Sequence, residues 1–253
     1  MRMLGQEKKN LRFGLSAFDL KLLAMAFMLC DHLWATVIHG NDWLTCVGRL
    51  AFPIFAFQIA EGYAHTRDRK AYRRRMLVWA LISEIPFNLM TGGGLINPFH
   101  QNVMFTFWIA LLLLGRIDRA VKRGDAVGGL ISLGWTLLGF LIGTLTMVDY
   151  YGYGILMVIL FYIGRKTPAE KLLHLIAMYW INFRMMGGLV YPFEIFGREF
   201  LFPQQGFAIL SLIPIWLYNG RQGVSSKAVR TACYAFYPAH ILILSLIAMF
   251  VLN

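Results

Sequence analysis

Long apolar runs and short polar loops alternate along almost the whole chain. About 20 mostly apolar residues cross a hydrocarbon core of ~30 Å as a helix. On that measure nine segments are expected to span a membrane: residues 22–39, 48–65, 76–91, 103–117, 126–146, 152–164, 171–191, 205–218 and 231–251. The third, fourth, sixth and eighth are short. Loops 1–21, 66–75, 115–124, 165–171 and 219–230 hold nearly all the lysine and arginine, with Arg49, Arg184 and Arg198 the exceptions. The alternate loops at 40–47, 92–102, 147–151 and 192–204 carry Asn, Asp, Glu, Gly and Pro rather than basic runs. Basic loops stay in the cytoplasm, so the pattern predicts an all-α polytopic membrane bundle with its N-terminus cytoplasmic. With an odd number of spans, its C-terminus lies outside. No fixed-period repeat and no Pro/Gly/Ser linker interrupts the chain, so 22–253 reads as one transmembrane domain behind a basic tail, 1–21.

Composition agrees with that reading: 58% of the 253 residues are hydrophobic and only 15% are charged, far from the mix of a soluble domain. The formal charge of +11 would suggest nucleic acid in a soluble chain, but here the cytoplasmic loops account for it and no nucleic-acid partner is expected. Residues 1–15 are basic and polar, without the apolar run and cleavage site of a signal peptide. Cys30, Cys46 and Cys233 are scattered without CxxC spacing, so neither a disulfide framework nor a metal site is expected. No P-loop, Rossmann fingerprint, HExxH or GxSxG is present.

Against this apolar background the ionisable residues stand out. Titratable groups at membrane depth are costly, face the protein interior and mark function. Asp31 and His32 are adjacent in the first span. His32 lies eleven positions after Lys21, about 16 Å along a helix, which puts it near the midplane if Lys21 marks the inner interface. Lys21, Met25, Met28, His32, Thr36 and His39 share one face. Histidine suits general acid or base work near neutral pH. Asp31 points about 100° away around the helix, so it is better placed to brace the bundle, or an arginine such as Arg49, than to orient His32.

In the second span Gln58, Glu61 and His65 share a face, and Glu61 is open to accepting from a basic loop or binding a substrate cation. Arg49 is open to snorkelling or to stabilising Asp31 or a developing oxyanion. Pro53 is expected to loosen a turn. Glu84 and Asn88 share a face with Pro86 between them. Asn102 and Thr106 begin the fourth span as a polar cavity lining or as interhelical bonds. The glycines of Asp149-Tyr-Tyr-Gly-Tyr-Gly154 permit close backbone approach, and its tyrosines fit an interfacial belt. His174, Asn182 and Arg184 lie in the seventh span. Tyr237 and His240 share a face in the ninth.

Eight strings taken in order resemble the TraX family, named for the F-pilin acetylase. They are Asp19-Leu-Lys21, Met28-Leu-Cys-Asp-His32, Gly48-Arg-Leu-Ala-Phe-Pro-Ile-Phe-Ala-Phe57, Glu61-Gly-Tyr-Ala-His-Thr-Arg67, Ser83-Glu-Ile-Pro-Phe-Asn88, Asn102-Val-Met-Phe-Thr106, Tyr218-Asn-Gly220 and Phe236-Tyr-Pro-Ala-His240. That family is similar to a wider group of membrane acyltransferases, including the acyltransferase-3 proteins, which carry an essential histidine ten intervening positions after a basic residue. Lys21 and His32 fit that spacing.

The resemblance implies an acyltransferase-like domain in the inner (cytoplasmic) membrane. It would move an acetyl group from cytosolic acetyl-coenzyme A to an amine or hydroxyl of an exported peptide or envelope glycan. His32 is the expected catalytic residue, with Asp31 beside it. Lys21, Arg73, Arg74 and Arg75 are candidates for the coenzyme phosphates, although the positive-inside rule explains the same charges. Arg49, Glu61, Glu84, Asn88, Asn102, Tyr237 and His240 are candidates for shaping the cavity, His240 also for moving protons. Two other classes remain open: a proton-coupled transporter using Asp31, His32, Glu61 and Glu84 as a relay, and a non-catalytic assembly factor.

Overall fold

The structure, a computed structural model, describes residues 13–92, 94–164 and 169–251. Most of the tail at 1–21 and part of the loop at 165–171 lie outside the described residues. The described chain is mostly helical. It runs through α1 (Ala17–Thr36), α2 (Asp42–Gly48), α3 (Ala51–His65), α4 (Arg69–Gly92), α5 (Val103–Val121), α6 (Ala126–Leu145), α7 (Tyr151–Ile163) and α8 (Ala169–Tyr179). A π-helical turn follows at Trp180–Met185, then the strands β1 (Val190–Ile195) and β2 (Arg198–Pro203), a 3-10 helix at Gln204–Ser211, α9 (Leu212–Trp216) and α10 (Lys227–Val251).

Among the described residues three stretches are long and apolar enough to cross a membrane by length and composition: Asp42–His65, Ala126–Leu145 and Lys227–Val251. Two of the nine expected spans are not continuous α-helices. The run at 171–191 leaves α-helical geometry at Trp180 and is extended by Val190, and the run at 205–218 is a 3-10 helix followed by the five residues of α9. Between them, β1 and β2 form an antiparallel hairpin, Val190 opposite Pro203 and Ile195 opposite Arg198. The all-α expectation is corrected to that extent. The hairpin alternates aromatic and other residues around Phe196-Gly197, where Gly197 takes a positive φ of 72°, and this alternation is a strand signal. The outer loop expected at 40–47 contains α2, whose first-turn Asp42 complements the positive end of a helix dipole.

Helix α1 begins with a capping box, the Ser16 hydroxyl accepting from the Asp19 backbone N–H while the Asp19 carboxylate accepts from the Ser16 N–H. The box is tied to the loop that leads into the last helix: the Ala17 N–H donates to the Arg221 carbonyl at 2.8 Å, and the Asn219 amide to the Gly14 carbonyl at 2.8 Å. With the start of α1 joined to the approach to α10, and His32 beside His240, the two helices run parallel. α1 ends at Thr36, so His39, expected on its polar face, sits exposed in the following turn. Pro53 lies in the first turn of α3, where a missing N–H breaks no helical bond, rather than loosening a turn as expected. Pro238 is inside α10 and removes the bond its N–H would have made to the Tyr234 carbonyl.

The core is built on α3, α5 and α7, where Ile54, Leu111, Leu114, Ile117, Ile155 and Met157 have essentially no exposure. Gly154 lets α7 sit directly on Phe52 and Thr106, which a Cβ there would strike. Helix α6 turns Leu130, Leu133, Leu137 and Leu141 outward, the surface of a helix that faces lipid.

Candidate active site

Asp31 and His32, neighbours in sequence, feed two different networks. Asp31 accepts from the Thr45 hydroxyl at 2.7 Å and pairs with the Arg49 guanidinium. Arg49 Nε donates to the Thr45 carbonyl at 3.3 Å and Nη1 to Gln205 Oε1 at 3.5 Å. The Gln205 amide donates to Asn182 Oδ1 at 3.0 Å, and the Asn182 amide to the Met178 carbonyl at 2.8 Å. The π turn carries the fully buried Asn182, at the kind of helical irregularity often found at functional sites. Gly48 leaves room for the Asp31 carboxylate, which a Cβ would hit. A buried ion pair repays its desolvation only with good geometry and further hydrogen bonds, and here both partners have them. Gln205 and Thr45 are not among the residues that spacing suggested; the one sequence signal for Gln205 is the pair Gln204-Gln205 opening an apolar run.

His32 faces α10. Its Nδ1 lies 2.7 Å from His240 Nε2. The ring centroids are 4.9 Å apart and the planes 8° apart, the arrangement of two rings joined edge to edge in one plane. His240 Nδ1 is 2.6 Å from the Phe236 carbonyl, which can only accept, so that nitrogen carries the proton. In a neutral ring His240 Nε2 is then a bare acceptor, and the shared bond requires N–H on His32 Nδ1. By this chain of hydrogen bonds the lone pair of His32 is fixed on Nε2, which has no hydrogen-bond partner among the described residues. The Tyr237 ring stands 6.2 Å from His32 and Phe236 stacks on His240 at 4.5 Å.

Glu84 and Asn102 form a third unit nearby. Asn102 caps α5 by accepting from the Met104 N–H at 3.0 Å, and gives its own N–H and amide to Glu84 Oε2 at 3.2 and 2.5 Å. Thr106 donates to the Asp149 carbonyl at 2.5 Å. Tyr150, in left-handed geometry at φ 61°, stacks on Phe52 at 3.8 Å, so this tyrosine is packed inside rather than lying in an interfacial belt. In the loop before α5, His100 Nε2 stands 3.8 Å from the Asp149 carboxylate, whose negative charge beside the ring raises the imidazole pKa above its usual value.

The remaining candidates fall elsewhere. Asn88 donates to the Leu95 carbonyl at 3.1 Å instead of joining Glu84, and its own oxygen has no partner. Glu61 stays with His65, 3.4 Å away, one turn along α3. His174 is buried, edge-on to Phe161. The arginines of α4 separate: Arg75 lies near the Tyr72 ring and Tyr234, Arg74 is exposed, and Arg73 faces α5 with Arg69, Arg116 and Arg119, which spacing had not connected. Lys21 is partly buried near the start of α1.

Residues 16–248 match the family described as TraX protein. Among curated proteins the chain is similar to the probable fimbrial assembly protein FimC, serogroup H1, of Dichelobacter nodosus, 28% identical over 265 residues that cover 96% of this chain and 98% of that protein. No solved structure matches.

Proposed function

Because the chain belongs to the TraX family, we propose that it is an integral membrane acetyltransferase of the cytoplasmic membrane. It takes an acetyl group from cytosolic acetyl-coenzyme A and passes it to an exported acceptor. The name of the fimbrial relative favours an amine of a pilin-like peptide over a glycan hydroxyl. The observation that carries the reading is the hydrogen bond from His32 Nδ1 to His240, which leaves Nε2 of a half-buried histidine free for a reacting group.

In this reading His32 Nε2 takes a proton from the acceptor amine as its nitrogen attacks the thioester carbonyl. The C–N bond forms, the C–S bond breaks, and the coenzyme leaves with the proton returned from Nε2. While His32 is charged, its Nδ1–H bond to His240 becomes charge-assisted and strengthens, so the partner acts when the proton arrives. The same bond would stabilise a cationic acyl-imidazolium, so rapid acid quenching of the labelled enzyme is what separates proton transfer from an acyl-histidine. Asp31 is already committed to Arg49 and Thr45, and its part is to hold α1 against α2 and α3.

The donor approaches from the inner end of α1 and α10. Lys21 precedes His32 by eleven positions and Arg230 precedes His240 by ten, which puts each cation about 15–16 Å from the histidines along its helix. Arg75, beside Tyr234, and the exposed Arg74 are at the same end to meet phosphates. Arg73 is turned away from this entrance. In membranes supplied with labelled acetyl-coenzyme A, H32A is expected to lower transfer by about 10²- to 10⁴-fold, the usual contribution of a positioned base. An unchanged rate overturns the proposal. Mass spectrometry of pilin-type peptides and envelope glycans with and without the protein identifies the acceptor.

A further inference from the structure

Away from the histidines, the inner ends of α3, α4 and α5 border an open pocket of about 490 Å³ lined by Tyr63, Leu112, Gly115 and four arginines: Arg69, Arg73, Arg116 and Arg119. An adjoining hollow of about 220 Å³ shares Arg116 and Arg119 and adds Arg123, Ile131 and Trp135. Two carboxylates stand close by and both are taken up: Asp118 by Lys122 at 2.9 Å, the Tyr162 hydroxyl at 2.6 Å and Arg69 at 3.5 Å, and Asp125 by Arg123 at 3.0 Å. Among the described residues Arg73, Arg116 and Arg119 have no carboxylate partner. Their side chains are held in place: Arg73 Nε donates to the Arg69 carbonyl and Arg119 Nε to the Gly115 carbonyl, both at 3.3 Å, and Arg116 lies 4.7 Å over the Trp135 ring. Positive loops alone would spread their charges into water. Here the like charges converge, at a cost that a bound anion offsets.

We propose that this pocket binds the phosphate of an anionic phospholipid of the inner leaflet. Planar guanidinium groups match phosphate oxygens in pairs, and basic pockets between helices on the cytoplasmic side are where anionic headgroups bind. The apolar walls decide for a lipid over a soluble phosphate. Ile131 and Trp135 flank the arginines, and α6 continues outward with the exposed Leu130, Leu133 and Leu137, a surface for acyl chains. Arg73 thereby serves the lipid rather than the coenzyme. The inference does not depend on acetyl transfer.

The test is native mass spectrometry of the full-length protein released from nanodiscs of phosphatidylcholine with phosphatidylglycerol. The protein is expected to retain phosphatidylglycerol selectively, and excess inorganic phosphate or coenzyme A should not displace it. Each arginine near an anionic leaflet is worth ~1 kcal/mol, about fivefold in binding, so R116Q/R119Q should retain roughly 25-fold less. R67Q/K70Q, which removes two exposed charges outside the pocket, should retain as much as wild type. If the double variant does not fold, R119Q alone, at an exposed side chain, should show the fivefold loss. Equal retention by wild type and the arginine variants overturns the site. Displacement by coenzyme A or by inorganic phosphate overturns the lipid assignment in favour of a soluble phosphate. Either result leaves the H32A assay to be read separately.

Discussion

Asp31 and His32 share a peptide bond and little else. Asp31 ends in a closed network: Thr45, Arg49, Gln205 and Asn182 satisfy one another across α1, α2, the 3-10 helix and the π turn. His32 ends in an open one, a two-histidine chain anchored on the Phe236 carbonyl that leaves one ring nitrogen over. A closed network spends its polarity on holding helices together. An open one keeps a lone pair available, and that difference separates a brace from a reactive group more reliably than burial, since both residues are only partly accessible.

The comparison breaks if stability and activity respond alike to substitution on its two sides. The largest effects are expected from D31A or R49A, each leaving an uncompensated buried charge at ~3–5 kcal/mol, read as a lower unfolding midpoint in detergent. D31L/R49M, which removes both charges, should recover most of that loss. On the other side, H32A should leave the midpoint near wild type while transfer falls by about 10²- to 10⁴-fold. An H32A midpoint as low as that of D31A would merge the two networks into one structural unit.

H240A sharpens the open side. It removes a hydrogen bond to a group that becomes charged, ~1.5–3 kcal/mol, so transfer should fall by about 10- to 150-fold. H240Q, which keeps an acceptor, should recover part of the rate, and H240A should move the pH profile of kcat as a merely structural change would not. N102A removes the cap of α5, at ~1 kcal/mol, together with the bonds to Glu84, and its effect should fall on stability first.

The smallest effect is one of pH. The Asp149 carboxylate raises the His100 pKa in the folded protein. Protonated His100 therefore contributes stability that is full below the unfolded value of about 6.5 and is lost as pH rises through the higher folded value. H100N should abolish that slope in midpoints measured from about pH 6 to 8.

Local geometry makes part of this site legible in the sequence. The rotation of about 100° per residue separates Asp31 from His32, the start of the second span offers Arg49 as one possible partner for the carboxylate, and the glycines of 149–154 foretell the close approach at Gly154. The rest depends on contacts between distant segments. His32 and His240 stand 208 positions apart, and no local pattern links them. Arg73 and Arg75 look like one basic run, but two residues on a helix differ by about 200°, and the neighbours α5 and α10 claim opposite faces. The apolar runs at 171–191 and 205–218 satisfy a hydropathy window, whereas the buried amides of Asn182 and Gln205 require a broken helix to meet each other and Arg49.

The tie between Gly14–Ala17 and Asn219–Arg221 has a consequence for biosynthesis. α1 leaves the ribosome well before α10, yet the loop that ties its start and the histidine that meets its own come about 200 positions later, His240 lying 208 positions after His32. Thr45, Arg49 and Gln58 hold α1 early, but until α10 is made His32 lacks the hydrogen bond that sets its tautomer. Chains cut short anywhere before α10 therefore hold the brace around Asp31 but not the two-histidine chain.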